Sequence, residues 1–376
     1  MNRFKKFGFN MNVRIRGLVN MIGVRKHEPI LPRMVSGGAD PSDVIETLRA
    51  VKGFDDWIPT WSALAERYVN QARESIKHGH LVTAGKFLTM ATMYYRFAEF
   101  LAINEEDRKA LFKKLVPLYE EAGKYFSPPH QVIEIEFEDY TIRGYLRHPD
   151  NAKKVPCLFS IGGVDGIKEE KSGPSNDAIE RGWAMLAFDI PGQGALRRLN
   201  GKVFQPDFHK VVSKFIDRME EIPAIDSKRI ALVGGSAGGF FALKSAALDP
   251  RVRAVVDLSG PFEMKTLYNA PFPIPKTMEY GFGCDTKKGM LEILKDYTLE
   301  DCIDKIKAPV LVVHGRKDKA VPFPDAQKIY DGLKTEKEML YYEDGDHVCF
   351  NHFGEAIPRM LNWLEKQFKG TQAVRQ

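Results

Sequence analysis

One stretch of this chain has the residue types and spacing for nucleophilic chemistry. Arg229-Ile230-Ala231-Leu232-Val233 leads into Gly234-Gly235-Ser236-Ala237-Gly238, and Gly239-Phe240-Phe241-Ala242-Leu243 follows. The apolar run before the pentapeptide reads as a buried strand and the run after it as a helix. G-x-S-x-G in that context is a nucleophile elbow, a sharp turn that exposes the serine Oγ. Residues two positions either side must lack side chains for the backbones to approach. A serine hydroxyl is a weak nucleophile until a base takes its proton, and the base needs an acid to orient it. In this context acid and base should follow in that order, each in a loop after a strand. Pro309–Val313 reads as a strand and leads to Asp318; Leu340–Glu343 reads as another and leads to His347. Asp318 is therefore expected as the acid and His347 as the base. Asp257, His314 and His352 are the rivals: Asp257 sits among apolar neighbours, His314 comes too early, and His352 lies deep in the last loop.

Attack on a carbonyl builds an oxyanion that needs hydrogen-bond donors. The backbone N–H of Ala237 is expected as one. The other is expected from Gly162-Gly163-Val164-Asp165, after the strand Leu158–Ile161, with the N–H of Val164 as the donor. Asp165 then stands one residue from that donor. Its carboxylate could move a proton or bind a polar substrate group, or it could cap a helix starting near Ile167; spacing alone does not choose. The run Asp189-Ile190-Pro191-Gly192-Gln193-Gly194 after a further strand reads as a turn that packs against the elbow.

The elements that must position these residues are legible in hydrophobic periodicity. Residues 38 to about 126 carry helical spacing, with His78-Gly79-His80 between two helices and Ser127-Pro128-Pro129 as a stop. From Gln131 a hairpin opens, and then short apolar runs alternate with helices, which implies a mostly parallel sheet flanked by helices. The domain reading is an N-terminal arm over 1–50, partly helical; a helical cap over 51–128, with the active site between it and the sheet; and an α/β catalytic domain over 129–370. Residues 259–306, a long connection rich in Pro, Phe, Met and Tyr, read as an insertion over the active site. Tyr94 and Tyr95 fit the core of the helical region better than a pocket wall.

Composition bounds the rest. The chain has 376 residues, 44% hydrophobic and 28% charged, with a formal net charge of +5. So mild an excess of positive charge argues against a nucleic-acid partner. Basic residues from Arg3 to Lys26 interleave with apolar ones, as in a surface helix packed on its own domain or touching a membrane. No apolar run is long enough for a membrane span, and no signal peptide is evident. Cys157, Cys284, Cys302 and Cys349 lack metal-ligand spacing and read as free thiols of a cytoplasmic protein. No cofactor and no metal is called for; the expected partner is a small-molecule substrate, with a homodimer left open.

Gly162-Gly163-Val164-Asp165-Gly166-Ile167-Lys168-Glu169-Glu170, Asp189-Ile190-Pro191-Gly192-Gln193-Gly194, the serine elbow and Tyr94-Tyr95-Arg96-Phe97-Ala98-Glu99-Phe100 together resemble the 2,6-dihydroxypseudooxynicotine hydrolase family of α/β hydrolases. That group includes polyketide-shortening hydrolases and is similar to the fermentation-respiration switch proteins. The resemblance runs from about residue 55 onward. It implies hydrolysis of a carbon–carbon bond next to a ketone, with a carboxylesterase or thioesterase as the alternative chemistry and a non-catalytic binding protein as the alternative class. It also implies a triad plus an acidic residue in the Gly-Gly loop, which fall on Ser236, Asp318, His347 and Asp165. The resemblance also carries one departure: the family's nicotine-pathway member has glutamate where this chain has Asp165, one methylene shorter.

Overall fold

The computed structural model describes residues 30–102, 104–150 and 153–370. The basic N-terminal segment up to Lys26 lies outside them. The chain divides between Pro129 and His130 into two compact units.

The first unit is helical. Its long helices are Phe54–Lys77, Leu81–Phe100 and Glu105–Gly123, preceded by Ile30–Ser36 and Pro41–Ala50. Local chemistry sets their starts. Asp40 accepts from the N–H groups of Ser42 and Asp43, with Pro41 already holding helical φ, and Asn104 caps the third long helix through Asp107 N–H. Leu81–Phe100 is buried on nearly every face over its second half, because Trp57, Trp61, Phe97 and Tyr94 cluster ring against ring. Tyr94 and Tyr95 are core residues. Their hydroxyls keep carboxylate partners, Asp43 and Glu66, so burial leaves no phenol unsatisfied.

The second unit is an eight-stranded sheet in the order β1-β2-β4-β3-β5-β6-β7-β8. The strands are β1 Gln131–Phe137, β2 Tyr140–Arg147, β3 Val155–Ile161, β4 Ala184–Phe188, β5 Ile225–Gly235, β6 Val252–Leu258, β7 Val310–Gly315 and β8 Lys337–Tyr342. The β1–β2 hairpin is the antiparallel edge, and from β4 onward the pairings are parallel. Strands β3, β4, β6 and β7 are buried on both faces, which is why they read as continuous apolar runs rather than alternating ones. Residues 259–306 hold the short helices Lys265–Tyr268, Ile274–Phe282 and Lys287–Ile293. Met264, Met278, Phe282 and Tyr297 from this segment are buried in the main core, against Phe208 and Phe240. The loops after β3, β4, β5, β7 and β8 leave the carboxyl edge of the parallel sheet, where open α/β sheets bind ligands.

Candidate active site

Ser236 sits between the end of β5 and the helix Ala237–Leu248, at φ 58° and ψ −131°. A non-glycine residue rarely adopts this strained conformation. The tertiary contacts enforce it. Ser236 N–H donates to Leu258 O at 2.8 Å, and the flanking backbones pack without room for side chains. A Cβ at Gly234 would stand 2.0 Å from Gly238 O, and one at Gly238 would stand 2.3 Å from Ile161 O.

His347 bridges the serine and the acid. Its Nε2 lies 2.9 Å from Ser236 Oγ and its Nδ1 lies 2.8 Å from Asp318 Oδ2. A carboxylate facing Nδ1 keeps the proton there and leaves Nε2 free to accept from the serine hydroxyl. The second oxygen of Asp318 accepts from Ala320 and Val321 N–H at 2.8 and 2.9 Å. Burial alone would raise the Asp318 carboxyl, but the His347 ring and the hydrogen bonds outweigh it, so its pKa falls below the usual carboxylate value. Acid and base meet because the loops after β7 and β8 touch: a Cβ at Gly315 would stand 2.3 Å from Gly345 O. The turn after His347 is held by Val348 N–H donating to Ser259 Oγ at 3.1 Å, with Val348 and Cys349 both at positive φ. No local pattern marks Ser259, since its partner lies on a loop from another strand.

The rival residues are engaged elsewhere. Asp257 is buried and accepts from Gly260 N–H at 2.9 Å. His314 donates through Nε2 to Val321 O at 2.8 Å, and the same atom lies 3.6 Å from Asp318 Oδ2. His352 pairs with exposed Asp344.

The Gly-Gly loop lies against the nucleophile. A Cβ at Gly163 would be 3.2 Å from Ser236 Cβ and 3.6 Å from its Oγ. Gly166 N–H donates to Gly163 O at 3.1 Å, closing a turn with buried Val164 and half-buried Asp165 at its centre. The 3-10 helix Lys168–Glu170 begins after Ile167, so Asp165 is not its N-cap. Among the described residues, the N–H groups of Gly163, Val164 and Ala237 have no protein acceptor. Gln193, which reads from sequence as part of a packing turn, touches this loop directly through Gly162 O and Gly163 O.

The model of the prolyl oligopeptidase family matches residues 179–371, a span that carries the elbow, the acid and the histidine. The chain belongs to the prolyl oligopeptidase family. Within this α/β-hydrolase family it is 30% identical over 338 residues to the 2,6-dihydropseudooxynicotine hydrolase of Paenarthrobacter nicotinovorans, covering 88% of this chain and 90% of that one. It is also 27% identical over 415 residues to the hydrolyase poxO of Penicillium oxalicum, covering 91% and 96%. The crystal structure of the 2,6-dihydroxy-pseudo-oxynicotine hydrolase superposes with a TM-score of 0.82 at 27% identity, covering 89% of this chain and 94% of that one. AbyA5 shares the fold, with a TM-score of 0.66 at 17% identity over 88% of this chain and 98% of its own. The resemblance read from the motifs thus extends over most of the chain, and this prolyl oligopeptidase family member is a hydrolase. None of its described helices is long and apolar enough to cross a membrane.

Proposed function

We propose that the protein is a serine hydrolase that cleaves a carbon–carbon bond next to a ketone in a small-molecule substrate. The observation that carries this reading is the pair of hydrogen bonds joining His347 to Ser236 and to Asp318. Ser236 Oγ attacks the ketone carbon while its proton passes to His347 Nε2, and the Asp318 carboxylate stabilises the imidazolium. Charge on the carbonyl oxygen is taken up by the N–H groups of Val164 and Ala237. When the tetrahedral adduct collapses, the C–C bond breaks and its electron pair leaves as an enolate. His347 gives its proton to that carbon, directly or relayed through Asp165, and the imidazole so freed activates the water that hydrolyses the acyl-serine.

The relatives named for hydrolysis of a pseudooxynicotine support a small ketone-bearing substrate. An esterase would use the same triad, so the two are separated by substrate pairs. The domain assignment belongs to this proposal: residues 51–128 as a cap, 129–370 as the catalytic domain and 259–306 as an insertion serving the site. So does a cytoplasmic location, supported by four free cysteines, with the homodimer left to a sedimentation measurement.

The test uses Ser236→Ala. It should lose at least about a thousandfold in kcat on a β-diketone while keeping its fold, and a fluorophosphonate probe should no longer label it. Labelling of another residue in the folded variant, or hydrolysis of matched esters but no β-diketone by the native enzyme, would count against the reading.

A further inference from the structure

Gln193 is fully buried, and both ends of its amide are committed. Nε2 donates to Gly162 O at 2.6 Å and to Gly163 O at 2.7 Å, and Oε1 accepts from Ile190 N–H at 3.1 Å. The amide cannot be turned over, because Oε1 would then face two carbonyl oxygens and the NH2 would face an N–H. In a trans peptide unit the C=O and N–H point in opposite directions. The Gly162 carbonyl shares its unit with Gly163 N–H, and the Gly163 carbonyl shares its unit with Val164 N–H. One side-chain NH2, with one hydrogen for each carbonyl, therefore aims two successive N–H groups away from Gln193. These are two of the donors without a protein acceptor, on the loop whose Gly163 lies against Ser236. A second anchor ties the same segments together: Asp189 accepts from Lys168 N–H at 2.9 Å through Oδ1 and from Lys168 Nζ at 3.1 Å through Oδ2.

We infer that Gln193 is the positioning residue of the oxyanion loop, fixing the direction in which the Gly163 and Val164 N–H groups meet developing negative charge. This rests on the reading of Ser236 as nucleophile and of that loop as oxyanion donor. It assigns to the turn after β4 a role in transition-state stabilisation, beyond packing against the elbow.

The test is inactivation of the full-length protein by a fluorophosphonate, whose phosphoryl oxygen gains charge as Ser236 attacks, with KI and kinact measured separately. Gln193→Met keeps length and burial but has no donor. It should lower kinact by about 10- to 100-fold with KI unchanged, the scale of a misaimed donor pair. Gln193→Glu should show a similar loss at high pH, where the carboxylate repels both carbonyls. Relative to the native protein at each pH, it should recover as pH falls and a protonated carboxyl regains one O–H donor. A packing role would lower the melting temperature and leave kinact of the folded fraction and its pH dependence unmoved. Native-like kinact in folded Gln193→Met, or a pH-independent loss in Gln193→Glu, overturns this inference alone; if the Met variant fails to fold, the Glu variant decides. Failure of the native protein to label at Ser236 overturns the nucleophile reading, and this inference with it.

Discussion

Two aspartates show how environment separates roles at the scale of single residues. Asp318 follows β7 and Asp257 lies near the end of β6, and both are buried, yet only Asp318 meets His347. Asp318→Asn should cost on the order of ten-thousandfold in kcat, because an amide cannot hold the imidazole in the right tautomer. Asp257→Asn should leave kcat largely intact and act on stability instead. Burial pushes the Asp257 carboxyl up to about 7, with the Gly260 N–H opposing and Asp325 adding. An unfolded aspartate ionises near ~4. The stability due to the neutral Asp257 carboxyl is therefore complete below about 4 and is lost as pH rises towards about 7. Urea midpoints measured from pH 4 to 8 should fall more for the native protein than for Asp257→Asn; parallel curves would remove Asp257 as the cause. Asp165 separates the chemistries. Asp165→Asn keeps size and hydrogen bonding but loses proton transfer. It should depress β-diketone cleavage about a hundredfold while sparing an activated ester, whose leaving group departs without help. Equal losses on both substrates would mark a binding role.

At the scale of elements, the site depends on loops from different strands touching at glycines. Gly315 at the end of β7 and Gly345 after β8 bring acid and base together. Gly315→Ala should push those loops apart, costing about 1–3 kcal/mol from overpacking. It should also cost roughly a hundredfold in kcat, since a shift of about 1 Å is enough to misalign the triad. Chemical denaturation and ester turnover check the two effects, and a variant that loses stability but no rate would place the triad's precision elsewhere. The elements themselves were readable because each carries its own periodicity: buried parallel strands as apolar runs, helices by spacing and caps. The antiparallel edge was readable too, because the outermost strand, β1, alternates between exposed and buried residues.

At the scale of the whole molecule, the proposed cap leads to one prediction. Deleting residues 1–125 is expected to leave insoluble or inactive protein, measured by solubility and by turnover of the ester and β-diketone pair. A soluble deletion protein with full activity would end the cap assignment. Tyr94 and Tyr95, buried with Asp43 and Glu66 as partners, give the helical unit a core of its own.

The sequence by itself determined the α/β class, the order of the strands and the family, and it singled out Ser236, Asp318 and His347 as candidates for nucleophile, acid and base. Each of those is a local pattern, or a fixed order of local patterns along the chain. Tertiary structure alone decided what lies between distant loops. It joined Asp318 and not Asp257 to His347 by a hydrogen bond, ruled out Asp165 as the cap of the following 3-10 helix, and brought Ser259 beneath the histidine turn. It also put the Gln193 amide across two carbonyls of a loop on another strand. A glutamine or serine in a turn carries no periodicity and no spacing rule, so the partner it meets is fixed only when the sheet brings the loops to one edge.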